Sequence, residues 1–215
     1  MKSALREVSM RIRFIGCLLV AGTLGAATLL SGAAAPPSPA VPPVIAPGSC
    51  ANLLALEIPE TVIKSTEEVA GPAFTPPGSS TALQSLPAFC RVVAVTKPAV
   101  TVEVWLPLAP WNGKFQGVGN GGTAGVISYG ELAAGIRRGY ATASTDTGDV
   151  SKDSADSSWA TGRMDLLIDF AYRGTHVMTV DGKAITRAFY DTQPRRGHQN
   201  AGVFPTVHGA GYESL

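Results

Sequence analysis

The stretch that most constrains this fold runs from residue 114 to residue 148. Lys114-Phe115-Gln116-Gly117-Val118 reads as a short strand that delivers Gly119-Asn120-Gly121-Gly122-Thr123 at its C-terminal end. Glycines at 119, 121 and 122 allow the backbone positive φ and let it present bare N–H groups. Residues 131–138 then read as a short helix closed by Gly139, and 140–145 as another strand. Amides presented at a strand end suit an anionic oxygen. Three uses remain open: an oxyanion hole, a nucleotide phosphate cradle, or a plain tight turn. A P-loop requires a lysine that does not follow here. Gly117, Gly119 and Gly122 match the spacing of a dinucleotide fingerprint, but no helical pattern follows at once.

The N-terminus carries Lys2, Arg6, Arg11 and Arg13 against Glu7, followed by an apolar run over 14–30 and the small residues 31–35. A basic region, an apolar region and an Ala-rich cleavage site form a secretory signal over residues 1–35. A retained anchor is the alternative, although the run is near the lower limit for spanning a bilayer. Met10 offers a second start that would leave a shorter signal. Loss of residues 1–35 lowers the formal net charge from +1 to −2, since four cations and one anion leave. No basic surface then remains for nucleic acid or anionic lipid, so neither is expected as a partner, nor is a membrane after cleavage. About 180 residues suffice for one domain. Cys50 and Cys90 are the cysteines that survive cleavage, in a compartment where disulfides persist, and are expected to pair.

Residues 36–49 are rich in Pro and Ala without apolar period and read as a linker. A short helical turn is expected at 51–54, a strand at 61–66 and a Pro-rich loop at 71–80. The β-branched runs 90–95 and 100–106, joined at Lys97-Pro98, predict an antiparallel hairpin. From Asp165 the apolar positions Leu167, Phe170, Ala171, Gly174, Val177, Met178, Ile185, Ala188 and Phe189 approximate helical spacing, with Gly182 as a weak point. Strand, helix, strand, helix after an antiparallel start predicts an α/β fold. Its sheet is mixed and mostly parallel, flanked by helices, with sites at strand C-termini.

Other motifs carry less. Asp146-Thr147-Gly148 has the aspartic-protease triplet, but that chemistry needs a second carboxylate copy that the chain lacks. Loop capping is the expected role of Asp146, and Asp149, Asp153 and Asp156 are read as solvated. His176 falls on the long helix, where a surface position is expected. His208-Gly209-Ala210-Gly211 has only a superficial likeness to a lipase His-Gly-Gly-Gly.

Taken together, residues 50–196 resemble the tannase and feruloyl esterase family. The match runs through Phe89-Cys90-Arg91-Val92, Val102-Glu103-Val104-Trp105-Leu106-Pro107, Trp111-Asn112-Gly113-Lys114-Phe115-Gln116 and Val118-Gly119-Asn120-Gly121-Gly122. It continues through 138–148, Ser158-Trp159-Ala160, Ile168-Asp169-Phe170-Ala171-Tyr172-Arg173 and Ala188-Phe189-Tyr190. The resemblance implies the N-terminal portion of an α/β-hydrolase fold and a secreted serine esterase acting on esters of aromatic acids such as gallate and ferulate. It implies that Gly121 and Gly122 supply oxyanion-hole amides, that Asn120 and Asp146 hold the loop, and that Cys50 pairs with Cys90.

The departures are equally informative. Family members continue after the Pro-Arg stretch with an aromatic strand into Gly-Cys-Ser-x-Gly-Gly. Here Arg196 is followed by Gly197-His198-Gln199-Asn200-Ala201-Gly202, and the sequence holds no Gly-x-Ser-x-Gly. No triad residue is therefore assigned, and neither His198 nor His208 substitutes for the missing base. The family's lid and calcium site would lie beyond residue 215, so no cofactor is expected within these residues. Residues 197–215 read as a tail outside the family pattern, consistent with a frameshift or truncation. Without nucleophile, acid and base, no ester turnover is expected from these residues alone, and the sheet is expected to leave an exposed edge where the nucleophile strand should pair. The alternative is an exported, non-catalytic module that binds a carbohydrate or phenolic ligand.

Overall fold

A computed structural model describes residues 48–149, 151 and 153–200, the last five by backbone alone. The expected signal, most of the linker, and most of the expected tail, His208 included, fall outside the described residues. The described strands form a six-stranded sheet in the order β1 (Thr61–Val69), β2 (Phe89–Thr96), β3 (Val100–Pro107), β5 (Ala141–Thr145), β4 (Lys114–Val118), β6 (Arg196–Asn200). β1, β2, β3 and β5 pair antiparallel in turn, whereas β4 runs parallel to both β5 and β6. Helix α1 (Tyr129–Ile136) connects β4 to β5.

The β2–β3 hairpin closes at Thr96↔Val100 around Lys97-Pro98, as the β-branched runs predict. Side-chain alternation on β3 then builds both faces of the sheet. Val102, Val104 and Leu106 enter one core cluster together with Met178, Ile185, Phe189 and Tyr190 of α3 (Gly174–Tyr190). Trp105 enters the other, with Phe89 and with Leu132, Ala133 and Ile136 of α1. Glu103 lies on the same side as Trp105 and is only 2% exposed. Its charge is met by Arg91, whose Nε and Nη2 donate at 2.7 and 3.0 Å, by Trp105 Nε1 at 2.7 Å, and by Tyr129 Oη at 3.2 Å. Burial, reinforced by the Glu103 charge, pushes the Tyr129 hydroxyl up to about 12.

The disulfide joins Cys50 to Cys90, fastening the 3-10 turn Cys50–Ala55 to β2. The helix expected from residue 165 is three pieces: α2 (Met164–Ile168), a π-helical turn (Asp169–Arg173) and α3. The wide turn sets Asp169 inward, 3% exposed and paired with Arg173 Nη1 at 2.7 Å. It also seats Gly174 where an added Cβ would stand 2.9 Å from Thr147 Cα. A π-turn of this kind beside a strand-end loop marks a place where backbone regularity yields to a tertiary contact.

Two expectations about this helix are corrected. Leu167 and Ala171, on α2 and the π-turn, are exposed, and so is Ala188 on α3. Gly182 is not a weak point: a Cβ there would lie 2.6 Å from Phe115 Cζ, so its bare Cα lets α3 sit close on β4. A further difference concerns the edge beside β4, which β6 occupies in the register Lys114↔Arg196 to Val118↔Asn200. Arg-Gly-His-Gln-Asn has no apolar alternation, so pattern reading passes over it, whereas main-chain pairing is blind to side chains. Among the described residues no helix is long and apolar enough to cross a membrane.

Candidate functional site

The C-terminal ends of the parallel strands β5, β4 and β6 lie side by side, and loops 119–125 and 146–149 rise from two of them. Asn120, 3% exposed, anchors the first loop by donating from Nδ2 to Thr145 O at the end of β5. Ser128 Oγ donates to Gly119 O at 2.9 Å and so ties the same loop to the start of α1. Gly122 adopts φ +59°, and an added Cβ would come 2.3 Å from Ser154 O. No side chain fits there.

Residues 151 and 153–156 lie across this loop. Thr123 N donates to Ser154 O at 2.9 Å and Gly125 N to Ser151 O at 2.7 Å. Thr123 Oγ1 reaches the carbonyls of Ser154 and Asp156, both at 3.0 Å. Among the described residues, the amides of Gly121 and Gly122 meet no acceptor, while those of Thr123, Ala124 and Gly125 do. Gly121 is exposed and an added Cβ there would meet nothing within 4 Å. The loop is thus held at both ends with two adjacent N–H groups left at its apex, an arrangement that can stabilise an oxyanion.

The second loop is built on carboxylates. Asp146 Oδ1 accepts from Thr101 N at 2.8 Å and Gly148 N at 2.9 Å, stapling the end of β5 to the start of β3. Thr147 takes φ +56° there, and Gly148 φ +81°. Asp149, read from the sequence as solvated, is 2% exposed, a correction. Its Oδ1 accepts from Ser151 N at 2.9 Å and its Oδ2 from Thr147 Oγ1 at 3.0 Å. An added Cβ on Gly125 would sit 2.1 Å from Asp149 Oδ1, so the carboxylate fills the space beneath the glycine loop. Burial raises the pKa of both Asp146 and Asp149 against these hydrogen bonds.

Asp153 is exposed and Asp156 half-buried. Among the described residues no group of three or more His, Cys, Asp or Glu side chains is arranged to hold a metal ion. His176 is exposed on α3, and no hydrogen bond joins it to a serine or a carboxylate among the described residues. His198 lies on β6, opposite Gln116. The sequence singles out Asn120, Gly121, Gly122 and Asp146, and the fold gathers all four at one end of the sheet. It misses Thr147, Asp149, Ser151 and Asp169. The signal that points to them is the excess of Asp, Ser and Thr after β5, which also suits an ordinary solvated loop.

The strand order, the β4–α1–β5 crossover and a glycine loop at a strand C-terminus are those of an α/β-hydrolase-like domain. Residues 82–202 match the family described as Tannase and feruloyl esterase, and the chain belongs to that family. It is 42% identical over 153 residues to an uncharacterized esterase of Xanthomonas campestris pv. campestris, a match that takes in 69% of this chain and 26% of that protein. It is 40% identical over 113 residues to a probable feruloyl esterase B-2 of Aspergillus flavus, covering 51% of this chain and 21% of the relative. The crystal structure of feruloyl esterase B from Aspergillus oryzae superposes with a TM-score of 0.63 at 25% identity, over 71% of this chain and 31% of that one. The chain therefore spans about a quarter of the length of the curated relatives it matches.

Proposed function

We propose that these residues form the oxyanion-binding part of an exported serine esterase that cleaves esters of aromatic acids, of the gallate or ferulate class. The observation that carries this reading is the pair of adjacent amides, Gly121 and Gly122, left without acceptors at the apex of a loop held at both ends. An ester carbonyl becomes an anionic oxygen when attacked, and pre-oriented N–H groups stabilise that charge without reorganising. Asn120 and Asp149 keep the loop in place, and Asp146 holds the neighbouring one. The kinship with feruloyl esterases supports the substrate class, and the basic and apolar segments of residues 1–35 support export.

The sequence contains no Gly-x-Ser-x-Gly, so the nucleophile and its base are assigned to polypeptide other than these residues. The purified chain should show no hydrolysis of methyl ferulate or methyl gallate above the uncatalysed rate. A chimera in which residues 50–195 replace the matching segment of the A. oryzae feruloyl esterase B should hydrolyse one of them. Replacing Gly121 by proline in that chimera removes one donor and should lower kcat about 100-fold or more. Turnover by the chain alone, or a folded chimera indifferent to that change, would overturn the reading.

A further inference from the structure

At the opposite end of the parallel strands from the glycine loop lies a cavity of about 470 Å³. It opens between residues 85–87, residues 109–112 and the end of α1, where the turn before β4 meets the turn before β5. Much of its wall is apolar, with Leu86 and Ile136 4% and 0% exposed beside Pro87 and Pro110, and Ser85 and Asn112 add neutral polar groups. Two adjacent cations, Arg137 and Arg138, both exposed, also line it.

Neither guanidinium has a carboxylate within 4 Å among the described residues. Neutral acceptors hold them instead. Arg137 Nη2 donates to Gln84 O at 2.7 Å, and Arg138 donates from Nη2 to Gln116 Oε1 at 2.7 Å and from Nε to Ala134 O at 3.1 Å. The Arg138 guanidinium also lies over the Tyr140 ring, 5.2 Å from its centroid. Their charge is therefore positioned but not neutralised. The carbonyls at the end of α1, which would repel an anion, are already engaged. Ala133 O, Gly135 O and Ile136 O accept from Arg137 N, Arg138 N and Gly139 N, and Ala134 O accepts from Arg138 Nε.

Lys114 and Arg195 add to the positive field at this end: Lys114 Nζ lies 5.8 Å from the Tyr140 centroid, and the Arg195 guanidinium rests against Gly113. We infer that this cavity binds a small monocarboxylate with a flat apolar body. Arg137, which gives a single hydrogen bond from Nη2 to Gln84 O, keeps donors for one carboxylate, Arg138 adds a fixed charge beside it, and the proline and isoleucine walls favour an apolar remainder. The inference rests on the cavity itself and stands whether or not the esterase reading holds.

The test is calorimetric titration of the full chain with benzoate and cinnamate, each compared with its uncharged amide, at low salt. Saturable one-to-one binding of the acids is expected, with the amides weaker by about tenfold or more. Arg137→Gln should weaken the acids by about tenfold, and Arg138→Lys, which keeps the charge but loses the hydrogen bonds to Gln116 Oε1 and Ala134 O that position it, should weaken them by a similar factor. Arg163→Gln, which breaks an exposed pair with Asp165 elsewhere, should leave binding unchanged. Absence of saturable binding, whatever the state of the chain, overturns the inference. Equal affinity for acid and amide overturns it, as does wild-type affinity in both cavity variants. Loss of binding in Arg163→Gln equal to that in the cavity variants would reduce the effect to net charge and also overturn it.

Discussion

Asp149 is the residue on which the candidate site turns, although nothing in its sequence setting distinguishes it from Asp153 or Asp156. Its carboxylate occupies the space that a side chain on Gly125 would need, and accepts from both Thr147 and Ser151. Because burial raises its pKa, and that of Asp146, the folded chain binds these protons more tightly than the unfolded chain does. Stability from these two sites is therefore highest at low pH and falls as pH rises from the ordinary value of 3.8 through the raised values. Asp149→Asn keeps an acceptor for Ser151 N and can donate to Thr147 Oγ1, which already donates to Asp146 O. It should make this decline shallower in urea unfolding followed upward in pH from 3.8, whereas an unchanged slope would remove Asp149 as its source. Asp149→Ala leaves the buried Ser151 N–H without its acceptor and should cost about 1–3 kcal/mol at neutral pH.

At the scale of elements, the hairpin and the two strands flanking α1 were legible, since β-branched runs, turn residues and a helix-ending glycine agree there. Gly139 takes φ +76°, which is what a helix-closing glycine is for. The break in the last helix was not legible, because its cause, Asp169 and Gly174 against the 146–149 loop, is a tertiary contact, and the extra residue of a π-turn shifts the apolar face in a way that leaves Leu167 and Ala171 exposed. Gly182 shows how far context overrides propensity. Gly182→Ala would gain about 1 kcal/mol of intrinsic helix stability. It would also force a methyl group 2.6 Å from Phe115 Cζ, an overpacking of about 1–3 kcal/mol. A net loss is expected, read as a lower midpoint in thermal unfolding, and a raised midpoint would show that α3 moves away at no cost.

For the whole molecule, the Cys50–Cys90 disulfide closes a loop with a sequence separation of 40 and ties the N-terminal turn to the second strand of the sheet. Constraining the unfolded chain over that length is worth about 4 kcal/mol on the chain-entropy relation. Replacing both cysteines by serine should lower the unfolding free energy by about that amount in denaturant titrations. A change below about 1 kcal/mol would show that the unfolded chain is already compact there.

By itself the sequence determined the hydrophobic alternation of the strands, the glycines able to leave amides bare, and the family to which residues 82–202 belong, because these depend on local geometry and residue type. The tertiary structure alone decided that Asp149 is buried, that Gly182 is a close contact, that β6 pairs beside β4 and that two arginines face a partly apolar cavity. Each of these arises from groups far apart in the chain whose meeting no local pattern records.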